Sequence, residues 1–457
     1  MRYLGGRMRS NSFFKVLAIS AVIAGNLSGT QRELITKLTV KGCSMRCTIH
    51  PEIKDVYLTD NFFIDYEQDI NLESMDYAVL TMPIVFNLFS LVWFSGKDFY
   101  VDSMDQDVYD SLIRLKIAFH FLYPDALWNG NIIPRKLVSL KNKFASFQEN
   151  NPRKALLFSG GLDSTSSFFE HKDEDLLLIT AWGQFDLPLH DENQWLGRKK
   201  NVEEFAQAFG KQVSIFRSNY SEIFNWKVVN NLYKSIGNWR ICTIEGMSWA
   251  GLTAPILISK KCSALYIAAG ANWYYPILDV TCPFIEELTR FAGFHLITDQ
   301  FSLTRNDKVA YIVDVCKKES LKPPFLKVCY YPNSNCTKCR KCCMTMISLL
   351  GLGEDLETYG FSISDEQAVA NTLNYMNQKI GHFDAWNFKE TLLHLKKFPD
   401  KHKKKSALKP FLDYDMSALQ VMDRRFSVMG KWKDVKHINP TIIIPTNLSQ
   451  DILDLQV

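Results

Sequence analysis

Strand-like apolar runs alternate with helix-like segments between residues 154 and 272, and this alternation constrains the fold more than any other feature of the chain. The strand-like runs are KALLFSG at 154–160, DLLLITAWG at 175–183, KQVSIFRS at 211–218 and ALYIAAGAN at 264–272. The segments between them, at 162–171, 194–210 and 246–262, have helical patterns. Strands joined by helices predict an α/β fold with a doubly wound parallel sheet, in which ligands bind at the carboxyl ends of the strands.

The remainder of the 457-residue chain predicts further domains on either side of this segment. Residues 46–150 predict a small N-terminal α+β domain, with strands at 56–58, 61–66 and 98–102 and helices at 82–94 and 106–123. A polar stretch at 140–154 reads as a linker, and the α/β domain then covers 151–354. Residues 355–457 predict a helical C-terminal region, with helices at 364–379 and 382–397. Residues 1–45 are an appendage or an over-long start ahead of Met45.

The composition is typical of a globular protein of the cytoplasm. The net charge of +4 is too small to argue for nucleic acid as a partner. The eleven cysteines lack the spacing of a secreted disulfide framework. The basic and apolar N-terminus resembles a signal peptide but lacks a clean small-residue cleavage site. The apolar run at 82–94 is too short to span a bilayer. We therefore expect a cytoplasmic protein with no membrane or nucleic-acid partner.

The sequence SGGLDS at 159–164 follows the first strand-like run and precedes a helix. Two glycines allow backbone amides to approach a ligand closely, and free amides at a helix start favour an anion. The hydroxyls of Ser159, Ser164 and Thr165 add donors, and Asp163 would cap amides or reach a Mg²⁺ ion. These residues predict a phosphate-binding loop rather than an ordinary turn. The chain lacks G-x-x-x-x-G-K-[ST], which excludes the common nucleoside-triphosphate loop.

A second cluster of chemically active residues is the sequence VCYYPNSNCTKCRKCC at 328–343. Cys329, Cys336, Cys339 and Cys342 form a compact four-thiolate set with C-x2-C spacing, which suits one tetrahedral Zn²⁺ in a closed structural site. An iron–sulfur cluster is a rival reading of the same spacing. Cys343 either replaces Cys342 or packs in the interior.

SGGLDS resembles the pyrophosphatase loop of the N-type ATP pyrophosphatase (PP-loop) superfamily. The resemblance implies an adenine nucleotide alpha hydrolase-like, Rossmann-like fold and cleavage of ATP between its α and β phosphates. It implies catalytic roles for Ser159, Asp163 and Ser164. The ATP-binding residues that it implies are Phe158, Ser159, Gly160, Gly161, Leu162, Asp163, Ser164, Thr165, Trp182, Gly183, Gly270 and Arg305.

The loop together with the cysteine pattern resembles the 7-cyano-7-deazaguanine synthase (QueC) family over about residues 153–350. AWGQ at 181–184, AAGAN at 268–272, FIEEL at 284–288 and FSLTRNDKVAYI at 301–312 resemble further motifs of that family. Two stretches depart from its pattern, because YYPILDVTCPFIEEL lacks an expected arginine and TIEGMSWAGL has Glu245 where an arginine is expected. The changed substrate half and the extra terminal regions resemble the QueC-like proteins of antiphage systems such as Qat and type IV CBASS.

This resemblance implies an ATP-dependent ligase with ATP, Mg²⁺ and Zn²⁺ as cofactors. A carboxylate such as 7-carboxy-7-deazaguanine would attack the α-phosphorus, and ammonia or a protein amine, from the product of a neighbouring gene, would then displace AMP. His190, Asp191 and Glu192, after the second strand, are candidates for a base that assists the amine. Trp182 or Trp273, at strand ends, is a candidate to stack on a base.

Two other functions remain open at this point. An RNA-modifying sulfur transferase uses the same loop, but it needs a cysteine that carries persulfide and a basic RNA surface. A non-catalytic module would use the nucleotide site only to sense ATP while the outer regions hold a partner. The complete set of Ser159, Asp163 and Ser164 favours an active enzyme over a decayed site.

Overall fold

The computed structural model describes residues 31–144, 153–232, 245–274, 281–329, 334–397 and 405–421. Its strands are β1 (Ile35–Lys41), β2 (Ser44–Ile49), β3 (Phe62–Tyr66), β4 (Asp98–Asp105), β5 (Asn131–Val138), β6 (Lys154–Leu157), β7 (Leu176–Trp182), β8 (Gln212–Ser218), β9 (Leu265–Ala268), β10 (Arg290–Phe291) and β11 (Phe294–Asp299). Its helices are α1 (Pro51–Tyr57), α2 (Tyr77–Leu80), α3 (Met82–Ser95), α4 (Gln106–Leu122), α5 (Leu162–Glu170), α6 (Glu192–Ala208), α7 (Trp226–Leu232), α8 (Glu245–Ser259), α9 (Pro283–Glu286), α10 (Arg305–Lys318), α11 (Arg340–Gly351), α12 (Asp365–Met376), α13 (His382–Lys397) and α14 (Lys405–Leu412).

One mixed sheet of nine strands runs in the order β1-β2-β3-β8-β7-β6-β9-β11-β10. The central strands β8, β7, β6, β9 and β11 are parallel, and the outer strands pair antiparallel. The chain runs from β6 through β7 to β8 in one direction and then continues with β9 and β11 on the other side of β6. The strand order therefore reverses beside β6, and such a reversal opens a crevice at the carboxyl ends of the strands.

Apolar cores cover both faces of the parallel strands. Leu177, Ile179 and Ala181 of β7 enter the core that contains α3 and α8. Leu176 and Leu178 of the same strand enter the core that contains α5, α10 and α11. Successive side chains of a strand point to opposite faces, so a strand buried on both sides has a continuous apolar run. The structure confirms an α/β protein with a largely parallel sheet.

Most predicted elements are confirmed, including the strands at 61–66 and 98–102 and the helices at 82–94, 106–123, 364–379 and 382–397. The predicted strand at 56–58 is wrong, because residues 51–57 form α1. Pro51 occupies the first turn, and His50 Nδ1 accepts a hydrogen bond from the backbone N–H of Glu52 at 3.2 Å. A proline and an N-cap at these positions set a helix start, which outweighs three strand-like residues further along.

The main sheet extends beyond the α/β segment that the sequence delimits. Residues 35–45, assigned above to an appendage, form β1 and the start of β2. β3 pairs with β8, with Ile64 opposite Ser218, so the sheet crosses the predicted boundary at residue 150. Residues 1–30, 145–152 of the predicted linker and 422–457 lie outside the described residues. In the described part of the chain, no helix combines the length and the apolar character needed to cross a membrane.

Helix α3 packs along α8 at a close approach that requires glycine. A Cβ atom on Gly251 would lie 2.4 Å from the carbonyl oxygen of Met82. This contact joins the N-terminal elements to one face of the parallel sheet.

We expect Gly251→Ala to lower the free energy of unfolding by about 1–3 kcal/mol, because the two helix backbones must separate. The measurement is urea unfolding monitored by circular dichroism. Gly381→Ala is the matched control, because a Cβ there meets no atom within 4 Å. Equal stability of the two variants would contradict the close packing of α3 on α8.

Candidate active site

The glycine loop connects β6 to α5 at the reversal of the strand order. Gly160 has φ of 71°, a left-handed conformation that favours glycine, and Gly161 is the N-cap residue of α5. The Oγ atoms of Ser159 and Ser164 lie 3.3 Å apart, and Ser164 Oγ also accepts a hydrogen bond from the Ser159 N–H at 3.3 Å. The two hydroxyls therefore lie together at the start of α5, where the helix dipole favours an anion.

Asp163, in the first turn of α5, binds two cations of α10. Lys308 Nζ donates to its Oδ1 at 3.0 Å, and Arg305 Nη1 lies 3.7 Å from its Oδ2. Burial raises the pKa of the Asp163 carboxyl, but the positive charges of Lys308 and Arg305 outweigh this effect and hold the pKa at about 2. Asp163 is therefore ionised at neutral pH, and its carboxylate pairs with α10 rather than with the α5 amides, which was one of the two roles expected from the sequence.

Two adjoining cavities open at the carboxyl ends of β6, β7 and β9. The first, here called the loop cavity, has a volume of about 310 Å³ and is lined by Leu157, Phe158, Ser159, Asp163, Ser164, Ile179, Gln184, Phe185, Asp186, Trp249, Ile267, Ala268 and Lys341. The second, the helix cavity, has a volume of about 400 Å³. It is lined by Asp163, Gly246, Trp249, Ile267, Ala268, Ala269, Gly270, Ala271, Asn272, Thr281, Glu286, Leu303, Arg305, Lys308, Arg340, Lys341, Met344, Phe383 and Asn387. Asp163 and Lys341 are among the residues that the two cavities share.

Positive charge dominates the helix cavity. Its lining contains the cations Arg305, Lys308, Arg340 and Lys341, but only two carboxylates, those of Asp163 and Glu286. Because low-dielectric walls strengthen such a field, the cavity attracts anions. Of these four cations, only Arg305 was predicted from the sequence as a site residue.

The predicted site residues divide between the cavity walls and supporting positions. Phe158, Ser159, Asp163 and Ser164 line the loop cavity, and Gly270 and Arg305 line the helix cavity. Gly160 and Gly161 shape the loop, whereas Leu162 and Thr165 are buried in α5.

Trp182 and Gly183, predicted as ATP-binding residues, are not among the described residues that line the two cavities. Trp182 lies outside both cavity walls and stacks on Trp195, with ring centroids 5.9 Å apart. Gly183 is required by backbone packing, because a Cβ there would lie 1.7 Å from the carbonyl oxygen of Ser218. Gln184 and Phe185, just after them, reach the loop cavity instead.

The other candidates from the loop and strand ends also lie outside the described cavity walls. His190 and Glu192 are exposed, and Asp191 caps α6 by accepting from the Gln194 N–H at 2.9 Å. Trp273 is 49% exposed and packs against Phe301. The predicted base candidates at 190–192 thus lie at the surface and at the start of α6, outside the walls of both cavities.

The four predicted cysteine ligands converge on one point. The Sγ atoms of Cys329, Cys336, Cys339 and Cys342 all lie within 4.8 Å of one another. Three of the distances are 3.5 Å (Cys339 to Cys342), 3.7 Å (Cys339 to Cys329) and 4.0 Å (Cys336 to Cys342). Four sulfurs bound tetrahedrally at about 2.3 Å from one ion lie about 3.8 Å apart, so the set fits a single metal ion such as zinc.

The geometry separates the alternatives that the cysteine spacing left open. Thiolates of an iron–sulfur cluster bind different irons and lie farther apart than the ligands of one ion, which favours the single ion here. Cys342 belongs to the set, and Cys343 is a buried residue beside it. Burial raises the pKa of the Cys343 thiol to about 12, as expected for a packed residue.

Hydrogen bonds join the cysteine loop at 328–343 to the glycine loop at 159–164. The Lys327 N–H donates to the carbonyl of Gly160 at 2.9 Å, while its Nζ donates to the carbonyls of Cys329 at 3.1 Å and Ser334 at 2.9 Å. Asn335 Oδ1 accepts from the N–H of Cys329 at 3.3 Å. Lys327 therefore connects Cys329 and Ser334 of the cysteine loop, through its side chain, to Gly160 of the glycine loop, through its backbone N–H.

A buried polar cluster fixes the C-terminal helix α13 to α10. Asn306 Nδ2 donates to the Glu390 carboxylate, and Asn306 Oδ1 accepts from Thr391 Oγ1 at 3.1 Å. Burial and, second to it, the negative charge of Asp307 together raise the pKa of Glu390 to about 7, although the hydrogen bond from Asn306 lowers it in part. The cluster explains how Phe383 and Asn387 of α13, in a region outside the QueC resemblance, come to line the helix cavity.

Comparison of the chain with protein-family profiles, with curated proteins and with solved structures found no match.

We expect removal of the metal with a chelator to increase amide hydrogen exchange at residues 159–164 by at least about tenfold, because the Lys327 contact to Gly160 depends on the cysteine loop. Hydrogen-exchange mass spectrometry measures this effect, and elemental analysis of the untreated protein should find about one metal ion per chain. Peptides from β1 and β2 serve as an internal control.

Cys336→Ser should reproduce the effect of the chelator, whereas Cys43→Ser, outside the set, should not. Loss of the ion without any change in exchange at 159–164 would show that the two loops are independent.

We expect Glu390→Gln to flatten the pH dependence of stability between about pH 4.5 and 7. The folded-state pKa of Glu390 lies above its unfolded value of about 4.3, so the folded state binds more protons and the parent loses stability as the pH rises through this window. The variant should therefore be more stable than the parent at pH 8, by roughly 1–3 kcal/mol. Urea unfolding at pH 5 and 8 tests this, with the exposed Glu366→Gln on α12 as the control. A parallel pH profile for Glu390→Gln and the parent would contradict the assignment.

Proposed function

We propose that this protein is an ATP-dependent ligase that adenylates a carboxylate and transfers the acyl group to ammonia or a protein amine, with release of pyrophosphate and AMP. The observation that carries the proposal is the meeting of the glycine loop with four cations at the reversal of the strand order. The carboxylate we propose is 7-carboxy-7-deazaguanine or a close relative, from the resemblance to the QueC family. The resemblance to QueC-like antiphage proteins supports a role in defence and a protein amine as acceptor.

The arrangement of the strands supports a doubly wound, adenine nucleotide alpha hydrolase-like fold for this activity. The order of the five parallel strands reverses beside β6, and apolar cores cover both faces of the sheet. In such folds, a nucleotide binds in the crevice at the reversal.

The loop cavity is the proposed site for ATP. The hydroxyls of Ser159 and Ser164 and the amides around Gly160 would hold the pyrophosphate that leaves, with Lys308 and Arg305 adding positive charge. Asp163 would orient these two cations, because both bind its carboxylate. Mg²⁺, when bound with ATP, would offset the charge of the phosphates.

The helix cavity is the proposed site for the carboxylate. A carboxylate oxygen would attack the α-phosphorus as the bond to the leaving pyrophosphate breaks, and the amine would then displace AMP from the acyl carbon. Lys341 belongs to the wall that the two cavities share, so its charge would act where the two substrates meet. The chain would contribute mainly positioning and electrostatic stabilisation, without a covalent nucleophile.

We assign Zn²⁺ to the four-cysteine set as a structural ion. A closed set of four thiolates leaves no open position for a substrate. Reduced thiolates and ATP both favour the cytoplasm as the compartment.

The described residues favour a ligase over a sulfur transferase of the same superfamily. No cysteine is among the described residues that line the two cavities, whereas sulfur transfer needs a cysteine close to the adenylate. The complete set of Ser159, Asp163 and Ser164, with Asp163 paired to Arg305 and Lys308, favours an active enzyme over a purely nucleotide-sensing module.

We expect the purified protein to catalyse exchange of labelled pyrophosphate into ATP only when 7-carboxy-7-deazaguanine and Mg²⁺ are present, since this exchange reports reversible adenylation. Asp163→Asn and Ser164→Ala should each lower kcat/KM by about 100-fold or more, the usual effect of removing one electrostatic contact from a transition state. Lys200→Ala is the control, because the Lys200 side chain is 73% exposed on α6.

Exchange by Asp163→Asn at the rate of the parent would refute the assignment of the loop. Release of ADP instead of AMP would refute cleavage between the α and β phosphates.

A further inference from the structure

Helix α13 completes the helix cavity. Phe383 and Asn387 lie one turn apart on α13 and line the cavity together with Trp249 of α8 and Met344 of α11. The resemblance to the QueC family ends near residue 350, so this wall is an addition to the part of the chain that carries the resemblance.

Asn387 presents a hydrogen-bond acceptor to the cavity. The side chain is only 4% exposed, and its Nδ2 donates to the carbonyl of Phe383 at 2.7 Å. Its Oδ1 accepts no hydrogen bond from any residue in the described ranges. An amide oxygen of a cavity-lining side chain can accept from a ligand N–H or O–H group.

Arg340 is held in the same wall by two helices of the C-terminal region. Its Nη1 lies 2.9 Å from Asp384 Oδ1, and Asp384 Oδ2 accepts from the hydroxyl of Tyr375 at 2.9 Å. The guanidinium carbon lies 5.8 Å from the centroid of the Phe383 ring. A cation, an aromatic ring and an acceptor therefore lie close together along α13.

We infer that α13, which lies outside the part of the chain that carries the resemblance, determines which carboxylate the helix cavity accepts. Phe383 packs on the ring, Asn387 Oδ1 accepts from a ring N–H, and Arg340 with Lys341 attracts the carboxylate toward the wall shared with the loop cavity. Asp384 is a positioning residue, since it acts through Arg340. The inference rests on the proposed function, which makes this carboxylate the second substrate.

Isothermal titration calorimetry of the full chain tests the inference. The probes are 7-carboxy-7-deazaguanine and 7-deazaguanine, which lacks the carboxylate, each with and without α,β-methylene-ATP and Mg²⁺. The parent should bind the acid at least tenfold more tightly than the uncharged base. Phe383→Ala and Asn387→Leu should each weaken binding of the acid by about tenfold or more, because the site loses a ring contact or an acceptor.

Three further variants separate recognition from folding. Phe383→Leu keeps most of the apolar volume and removes only the ring, so it should weaken the acid even where Phe383→Ala unfolds α13. Leu393→Ala is the matched control on the same helix, since Leu393 is 45% exposed, and its affinity should equal that of the parent. Asp384→Asn should reduce the preference for the acid over the uncharged base, which a merely structural role would not change.

The exchange assay distinguishes this inference from the proposed function. The variants at Phe383 and Asn387 should raise KM for the carboxylate and leave KM for ATP within about twofold of the parent. Binding of the acid without any exchange would refute adenylation and support the cavity assignment. Exchange with an unchanged KM in both variants, or a parent that binds the acid no better than the uncharged base, would overturn the role of α13.

Discussion

The buried ammonium of Lys308 is the contact on which the site depends. Its side chain is 2% exposed, and Nζ donates to Asp163 and to the carbonyl of Ala269 at the end of β9. A buried ammonium without a partner costs several kcal/mol, so this contact fixes the start of α5 and the end of β9 to α10. These are the elements that border the crevice at the strand reversal. The crevice keeps its shape because separating these elements would leave the buried Lys308 ammonium without its partners.

The cysteine loop extends the same constraint to the other side of the glycine loop. Cys339 is the N-cap residue of α11, and Arg340 and Lys341 follow it directly, so an ion held by the four thiolates would also fix where these two cations lie. Lys327 connects that loop to Gly160. An ion held by these thiolates would therefore help to fix the geometry of both the glycine loop and the cationic wall from outside the cavities.

The sequence predicted the parts of the site that are local in the chain and missed those that depend on tertiary contacts. A strand followed by SGGLDS and a helix start, and a C-x2-C spacing, are local patterns that show from neighbouring residues alone which side chains lie together. Lys308 lies 145 residues from Asp163, and the motif at 301–312 that contains it indicated only Arg305 as a site residue. Phe383 and Asn387 have the spacing of an ordinary amphipathic helix, which does not reveal what the helix packs against. The strand predicted at 56–58 failed because a short apolar run carries less information than the Pro51 helix start before it.

The placement of Asp163 explains how a negative residue belongs in a site for anions. Its charge attracts Lys308 and Arg305 from α10, and the three groups form a compact network before any ligand arrives. Folding therefore places the two cations before a ligand binds, so that no free energy is needed to reorient them later; this is electrostatic preorganisation. The Asp163 charge weakens the positive field only in part, because Arg340 and Lys341 approach the same walls from α11. Without a carboxylate among them, these cations would repel one another and move apart. One carboxylate holds them in place while the net charge of the cavity walls stays positive.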